Sequence, residues 1–202
     1  MNPNLNQDAM NCDIEHKVLN IMLKYQMENN VKSECLGNTS AYILLMKILK
    51  PHLITKAVSV IVISDKPSSV AFVIHTCVEI NDNGVLYNVE PSYEVLCGLG
   101  KNNRYFKTFK EFNNFMKRQY ENCNMINKDK EPHQHLKSKD NFDFKALLGR
   151  FLEMDKCVKE YNENIDTRAL TFNSKIHCFK QMEIVMDAFG YGIKIKHCKK
   201  ST

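Results

Sequence analysis

The sequence predicts an α+β domain with an antiparallel sheet, because its strand patterns are grouped between two sets of helical patterns. Helical periodicity occupies residues 13–50, strand patterns occupy residues 57–89, and helical periodicity returns after residue 108. A regular alternation of strands and helices would favour a parallel sheet instead. The 202 residues suit a single domain, with a polar, lysine-rich insert at about residues 122–141 that predicts a loop or partly disordered segment.

Two helices are predicted before the strands. In residues 13–29, apolar residues recur near the helical period, and Asp13 is a suitable N-terminal cap. The second helix is predicted from Cys35 to about residue 50, where Pro51 ends it. Its middle, residues 41–46, is apolar on nearly every side, which is typical of a buried central helix.

Three strands are predicted next, and an Asn-Gly turn joins the last two. Residues 57–63 are short, apolar and β-branched, as expected for a buried strand. Residues 70–80 and 85–89 form the second and third strands. Because Asn83-Gly84 readily takes the positive φ angles of a tight turn, these two strands are predicted to form an antiparallel hairpin.

Further helices are predicted in the second half of the chain. Thr108 and Glu111 form a Thr-x-x-Glu capping box, which opens a helix that ends near residue 120. The remaining elements are two helices and a short final strand, at residues 142–161, 174–189 and 191–197.

Composition bears on location and partners. No stretch approaches the roughly 20 apolar residues of a transmembrane helix, and the polar residues 1–7 lack the apolar run of an export signal. The eight cysteines are scattered without a CxxC pair, which predicts reduced thiols in the cytoplasm. A net charge of only +5, with scattered lysines and no Trp, makes nucleic acid an unexpected partner. The oligomeric state is open.

Metal and cofactor sites have little support in the sequence. His133 and His135 lie in the polar insert with Cys123 nearby, but their spacing differs from the standard zinc patterns. The adjacent His-Cys pairs at 177–178 and 197–198 are poorly placed to bind one metal ion. We expect no cofactor, and a metal-binding regulator is a minor alternative.

Cys35 is the leading candidate for a reactive residue. It lies at the predicted N-terminus of a buried helix, where unpaired amides and the helix dipole favour a thiolate. Its own backbone N–H is also available to stabilise an oxyanion. Gln26, Asn29 and Asn30 are upstream candidates for a second oxyanion donor, and the sequence does not choose among them. The alternative for Cys35 is a buried cysteine that acts as a small hydrophobe.

His75 and Glu90 are the candidate base and acid. His75 interrupts an apolar strand, where an imidazole without a partner is costly. A four-residue turn at 81–84 would place Glu90 opposite His75, whereas a two-residue turn would place Glu90 opposite Cys77 and diagonal to His75. Both registers put the imidazole and the carboxylate on one face of the sheet, but a three-residue turn would separate them. A core histidine with a backbone partner and a surface glutamate are the alternatives.

These residues occur in three short strings of the sequence, ECLGNTSA at 34–41, IHTCVE at 74–79 and GVLYNVEPS at 84–92. Together the strings resemble the transglutaminase-like superfamily, part of the wider papain-like cysteine fold. Its pattern is a Cys that opens a helix, a His on a strand, and an Asp before Pro-Ser or Pro-Thr. Small phage and large-virus members keep a Cys-x-x-Asn motif, which Cys35 and Asn38 match. The resemblance implies that Cys35, His75 and Glu90 are nucleophile, base and acid.

Two positions depart from the superfamily pattern. Glu90 stands where Asp is usual, and Cys77 stands where an aromatic residue often follows the His. The resemblance covers about residues 30–95, and it implies a papain-like or transglutaminase-like fold and a type of chemistry rather than a substrate.

The expected function is acyl transfer through a Cys35 thioester, with hydrolysis of an amide or peptide bond in a protein or peptide-like substrate. One alternative is an acyltransferase or cross-linking enzyme, in which an amine replaces water. Another is a catalytically inactive binding or virion-associated protein on the same scaffold. A viral member would be found in the host cytoplasm or the virion. Phe72, Tyr42 and Tyr87 are candidates to line the site, although core packing is the commoner role for such residues.

Overall fold

A computed structural model describes residues 3–63, 72–98, 103–126, 144–165 and 170–192. Its helices are α1 Pro3–Glu28, α2 Cys35–Leu49, α3 Phe109–Ile126, α4 Phe144–Asn164 and α5 Phe172–Ala188, with a π-helical turn at Glu94–Gly98. Its strands are β1 Ile54–Ile63, β2 Phe72–Asp82, β3 Val85–Val89 and β4 Arg104–Phe106. The strands form one antiparallel sheet in the order β3-β2-β1-β4, so the predicted α+β class is confirmed. None of the helices in these ranges combines the length and hydropathy needed to cross a membrane.

Several predicted boundaries differ from the observed ones. Helix α1 begins at Pro3, so Asp13 lies inside the helix and the prediction that it caps the N-terminus is wrong. Helix α3 continues to Ile126, so the predicted insert does not begin at residue 122, and its later part lies outside the described residues. The predicted final strand starts at Tyr191, which has no regular structure, and continues outside the described residues. The short strand β4 was not predicted.

The hairpin of β2 and β3 has a two-residue turn. Asn83 and Gly84 both have positive φ angles, of 51° and 93°, and the Gly84 N–H donates to the Asn81 side chain at 2.8 Å. Asp82 therefore pairs with Val85, and the register continues along both strands. This is the second of the two predicted registers, and continuing it by one residue places Glu90 opposite Cys77 and diagonal to His75.

Helices cover one face of the sheet and form the main core. The strand side chains that point to this face include Ala57, Val78 and Ile80, which are buried against α2, α4 and α5. Helix α2 lies at the centre of the core, as its apolar sequence predicted. A second cluster on the same face joins β1 to α3 and α4 through Ile61 and Phe112.

The opposite face of the sheet carries His75 and is covered by the chain that follows Glu90. Val60, Val62 and Cys77 form a small buried cluster there with Val95, which lies in the π-helical turn. The strand register places His75 directly opposite Val60. The imidazole is therefore held in a small apolar environment and is only 2% exposed.

Gly37 allows α2 and α5 to approach closely. A Cβ atom added at Gly37 would lie 2.8 Å from the backbone oxygen of Ser174, a distance that real Cβ atoms do not adopt. Ser174 is in the first turn of α5, which Thr171 caps by accepting the Ser174 N–H. This contact fixes the N-terminal turn of α2 and hence the position of Cys35.

Candidate active site

Cys35 is the first residue of α2. The first intrahelical hydrogen bond runs from the Asn38 N–H to the Glu34 oxygen at 2.9 Å. The N–H groups of residues 35–37 lie before this bond and have no acceptor within the helix. The Glu34 side chain makes no capping bond to these groups; its carboxylate accepts a hydrogen bond from the Ser174 hydroxyl instead. The positive end of the helix dipole at this terminus favours a thiolate at Cys35.

Helix α2 covers the edge of β2 that β3 leaves open. Strand β3 pairs only with residues 78–82 of β2, so the edge at Thr76 faces α2. Thr39 donates its hydroxyl to the Thr76 oxygen at 3.1 Å, and hydrogen bonding from Thr76 helps to lower the pKa of the Cys35 thiol. In an antiparallel strand the N–H and C=O of one residue point to the same side. The Thr76 N–H therefore points to the side that α2 occupies, where Cys35 lies one helical turn before Thr39.

His75 and Glu90 form a close pair. Both carboxylate oxygens of Glu90 contact His75 Nε2, at 2.8 and 2.9 Å. The Ser92 N–H donates to Glu90 Oε1 at 3.0 Å, which helps to fix the orientation of the carboxylate. The Tyr105 hydroxyl also interacts with Glu90. Because Nε2 is engaged by the carboxylate, Nδ1 is the ring nitrogen left for the thiol proton.

The pKa values of Cys35 and His75 shift in opposite directions. Burial alone would raise the pKa of the Cys35 thiol, but the hydrogen bond and charge of His75, with the Thr76 contacts, lower it overall. Burial alone would lower the pKa of His75, but the hydrogen bonds to Cys35 and Glu90 raise it to about 9. These shifts favour a thiolate–imidazolium pair near neutral pH. Cys77 behaves differently, since burial and the Glu90 charge raise its pKa to about 12.

Three side-chain amides form a second buried cluster next to this group. Gln26 donates to Gln181 Oε1 at 2.7 Å, Gln181 donates to Asn38 Oδ1 at 2.9 Å, and Asn38 donates to Gln26 Oε1 at 3.3 Å. We call Gln26, Asn38 and Gln181 the amide triangle. Its members belong to α1, α2 and α5 and are at most 3% exposed, so the triangle ties these three helices together.

The amide triangle also holds the segment that follows Glu90. Gln26 donates to the Pro91 oxygen at 2.7 Å and accepts the Tyr93 N–H at 2.8 Å, while Asn38 donates to the Ser92 hydroxyl at 3.2 Å. Both amide hydrogens of Gln26 are therefore committed, and Gln26 is not available as an oxyanion donor.

The other two upstream candidates for the oxyanion donor, Asn29 and Asn30, lie on the exposed turn after α1. The Asn29 side chain donates to the Tyr25 oxygen at 2.9 Å. Asn30 has a φ angle of 48° and its N–H donates to the Met27 oxygen at 3.3 Å, so it closes the turn. The Cys35 N–H, at the N-terminus of α2, therefore remains as the oxyanion donor among the candidates considered from the sequence.

Sequence reasoning missed Thr76 and Gln181. Thr76 acts on the pKa of Cys35 through its side chain and its backbone, and no sequence motif reveals the backbone contribution. Gln181 lies on the same helical face as the buried residues Cys178 and Val185. A glutamine on an apolar face needs a hydrogen-bonding partner, and this signal would have predicted a buried polar contact for α5.

Two of the three aromatic residues predicted to line the site border a cavity beside Glu90. Tyr42 of α2 and Tyr87 of β3 line this cavity, which has a volume of about 540 Å³. The side chain of the third, Phe72, lies outside the described residues.

The candidate metal ligands are not brought together in the described part of the chain, which contains no group of three or more His, Cys, Asp or Glu suited to a metal ion. His133, His135 and the 197–198 pair lie outside the described residues, as does the side chain of Cys123. His177 instead forms a hydrogen bond of 3.1 Å between its Nδ1 and the Tyr25 hydroxyl.

Comparisons with known proteins return no relative. No family model matches the chain, and neither the curated proteins nor the solved structures contain a match. A hypothesis about function therefore depends on the geometry and chemistry of Cys35, His75 and Glu90.

Proposed function

We propose that this protein is a cysteine-dependent acyl-transfer enzyme of papain-like or transglutaminase-like architecture, and that it hydrolyses an amide or peptide bond. The observation that carries the proposal is a buried His75 that is held by Glu90 at 2.8 Å and that lowers the pKa of Cys35, the first residue of α2, through a hydrogen bond and its charge. Covalent acyl transfer requires a nucleophile, a base next to it, and an acid that orients the base.

In the first step, the Cys35 thiolate attacks the carbonyl carbon of the substrate and forms a carbon–sulfur bond. The negative charge moves to the carbonyl oxygen, where the Cys35 N–H and the helix N-terminus stabilise it. His75, charged at neutral pH because its pKa is raised to about 9, gives its proton to the leaving nitrogen. The carbon–nitrogen bond breaks, an amine leaves, and a thioester remains.

In the second step, water replaces the amine. The now neutral His75 takes a proton from water as the oxygen attacks the thioester carbon, and the carbon–sulfur bond breaks. The products are a carboxylic acid and the regenerated Cys35–His75 pair. Glu90 stabilises the imidazolium that exists at the start and end of the cycle.

The hairpin register gives a physical reason for Glu rather than Asp at position 90. Directly opposite residues of two strands have Cβ atoms about 5 Å apart, whereas diagonal neighbours are about 7–8 Å apart, with a somewhat shorter distance between their Cβ atoms. The pairing of β2 with β3 ends at Val78 and Val89, and continuing its register by one residue makes Glu90 diagonal to His75. The extra methylene group of Glu90 suits this longer separation, and its carboxylate reaches Nε2 at 2.8 Å.

Trapping the acyl intermediate tests this proposal. We expect p-nitrophenyl acetate to acetylate Cys35 faster than any other cysteine, as read by peptide mass spectrometry, and we expect His75→Ala to remove this preference. Acetylation that spreads over the exposed thiols, Cys157 included, would contradict the proposal and favour a non-catalytic binding protein.

The acyl acceptor is tested by adding an amine to the same reaction. Release of acetate in the presence of glycine methyl ester supports a hydrolase. Accumulation of the acetylated amine would instead assign the protein to the acyltransferases or cross-linking enzymes. We place the activity in a reducing compartment such as the cytoplasm, since a thiolate nucleophile must stay reduced.

A further inference from the structure

The residue that precedes Cys35 places a carboxylate at the N-terminus of α2. Glu34 is the N-cap residue, and its backbone oxygen accepts the Asn38 N–H at 2.9 Å. A side chain at this position commonly accepts one of the first N–H groups of the helix, and the helix dipole attracts a carboxylate to the same groups. Glu34 nevertheless makes no capping bond, so a different contact holds its carboxylate elsewhere.

Ser174 of α5 provides that contact. Its hydroxyl donates to Glu34 Oε2, and the Thr171 hydroxyl, 2.9 Å away, is left as the donor to Ser174 Oγ. The Ser174 N–H donates to Thr171 Oγ1 at 3.1 Å, which fixes the first turn of α5. Ser174 is also buried and packs with its backbone against Gly37. The hydroxyl that holds Glu34 therefore has a fixed position relative to α2.

A released Glu34 carboxylate would interfere with both groups that the proposed reaction needs. A second negative charge near Cys35 would raise the pKa of its thiol and reduce the thiolate fraction at neutral pH. In the observed arrangement, the described side chains whose charges and hydrogen bonds shift this pKa are those of His75 and Thr76. The released carboxylate would also be drawn to the N–H groups of residues 35–37, where it would compete with an oxyanion.

We propose that Ser174 is a positioning residue for the reaction, because it keeps the Glu34 carboxylate away from the Cys35 thiolate and from the N–H groups of residues 35–37. The inference rests on the proposed function, since the groups that Ser174 protects are the nucleophile and the oxyanion donor. Ser174 acts through Glu34 rather than on the substrate. Its role therefore depends on the charge of Glu34, whereas a purely structural contact between α2 and α5 would not.

Reaction of Cys35 in the full-length Ser174→Ala protein tests this role. We expect the pH profile of iodoacetamide labelling to move to higher pH by about half a pH unit or more, because the released carboxylate lies close to the thiolate. Acetylation by p-nitrophenyl acetate should slow by more than labelling does, since only acetylation needs the N–H groups for an oxyanion. Ser59→Ala is the matched control and should leave both reactions unchanged, because Ser59 is similarly buried and its hydroxyl has no hydrogen-bond partner among the described residues.

Removing the charge of Glu34 separates this role from simple packing. Glu34→Gln alone should react like the wild type. Combined with Ser174→Ala, it should restore the wild-type pH profile and acetylation rate, because no carboxylate is then released, whereas damage to the packing of α5 would persist. Unchanged reactions in Ser174→Ala, or slow reactions that persist in the double variant, would overturn this inference and leave the proposed function intact. Wild-type Cys35 that labels no faster than the exposed Cys157 would overturn the proposed function and this inference together.

Discussion

Helix α2 contributes one residue to each of two buried polar clusters, and the clusters differ in chemistry. Cys35 belongs with His75 and Glu90 to a cluster of ionisable groups, in which a proton can move between sulfur and nitrogen. Asn38 belongs to the amide triangle, in which nothing ionises. All six amide hydrogens of the triangle are donated to acceptors.

The two clusters therefore have different roles: Cys35, His75 and Glu90 are the reactive groups, and the amide triangle holds them in position. A fully satisfied polar network is rigid, because each broken bond would leave a buried group without a partner. The amide triangle applies this rigidity to residues 91–93, directly after Glu90, and to the first turn of α2. The acid and the nucleophile are thus fixed by one set of neutral contacts that takes no part in proton transfer.

The largest expected change is in the rate of Cys35 acetylation, and it should come from removing the charge of Glu90 in the cluster of Cys35, His75 and Glu90. Glu90→Gln keeps the size of the side chain but no longer stabilises a charged His75 or fixes its tautomer. We expect Cys35 acetylation by p-nitrophenyl acetate to slow about a hundredfold or more at neutral pH, by analogy with other orienting acids. Thermal unfolding should also move to a lower temperature, because the buried imidazolium would lose its charged partner.

Glu94→Gln is the matched control for that change. Glu94 lies four residues further along the same segment and accepts only the exposed Ser33 N–H among the contacts described for it, at 2.8 Å. Equal rates in Glu90→Gln and Glu94→Gln would show that Glu90 does not act on His75.

The next effect should come from breaking the amide triangle. Gln26→Leu leaves the Gln181 and Pro91 oxygens without their donor and the Tyr93 N–H without its acceptor. Unsatisfied buried groups cost about 1–3 kcal/mol each, so we expect a loss of roughly 3 kcal/mol or more in the free energy of unfolding. Urea denaturation measures it.

Asn20→Leu, which changes an exposed amide of the same helix, should alter stability by no more than about 0.5 kcal/mol. If Gln26→Leu were as mild as Asn20→Leu, the triangle would not have the positioning role assigned to it.

The smallest expected change is in stability, and it should come from disturbing the contact between α2 and α5 at Gly37. Gly37→Ala places a Cβ against the Ser174 backbone, where overpacking costs about 1–3 kcal/mol, more than the helix propensity gained. Gly149→Ala, in α4, meets nothing within 4 Å and should instead stabilise by about 0.5–1 kcal/mol. Opposite signs in the two variants are the expected result of calorimetry, and equal signs would rule out a close contact of α2 with α5.

The parts of the fold that follow local patterns were predictable. The all-round apolar pattern of α2, the Thr108–Glu111 capping box and the Asn83-Gly84 turn each act over a few residues, and each is present in the structure, the capping box with both of its hydrogen bonds. Strand β4 has only three residues, too few to show a period. Its place at the sheet edge is set by pairing with β1, which is distant in sequence.

The candidate site was predictable for a different reason. His75 was conspicuous because an imidazole interrupts an apolar strand, and the turn limited Glu90 to a few registers. The amide triangle gave no such local signal, since Gln26 and Gln181 are 155 residues apart and either could have been a surface amide. Long-range partners decided that Gln26 is a structural residue rather than an oxyanion donor.

The central claim, a thiolate–imidazolium pair, is tested most directly by the pH dependence of iodoacetamide labelling at each cysteine. Because the pKa of Cys35 is lowered and that of His75 is raised to about 9, the pair should persist from neutral pH down to the lowered pKa of Cys35. We therefore expect Cys35 to label fast below about pH 7, where an ordinary thiol is mostly protonated. In His75→Ala this advantage should vanish, whereas His177→Ala should preserve it. Labelling of Cys35 that matches the exposed Cys157 at every pH, or that is unchanged in His75→Ala, would contradict the claim.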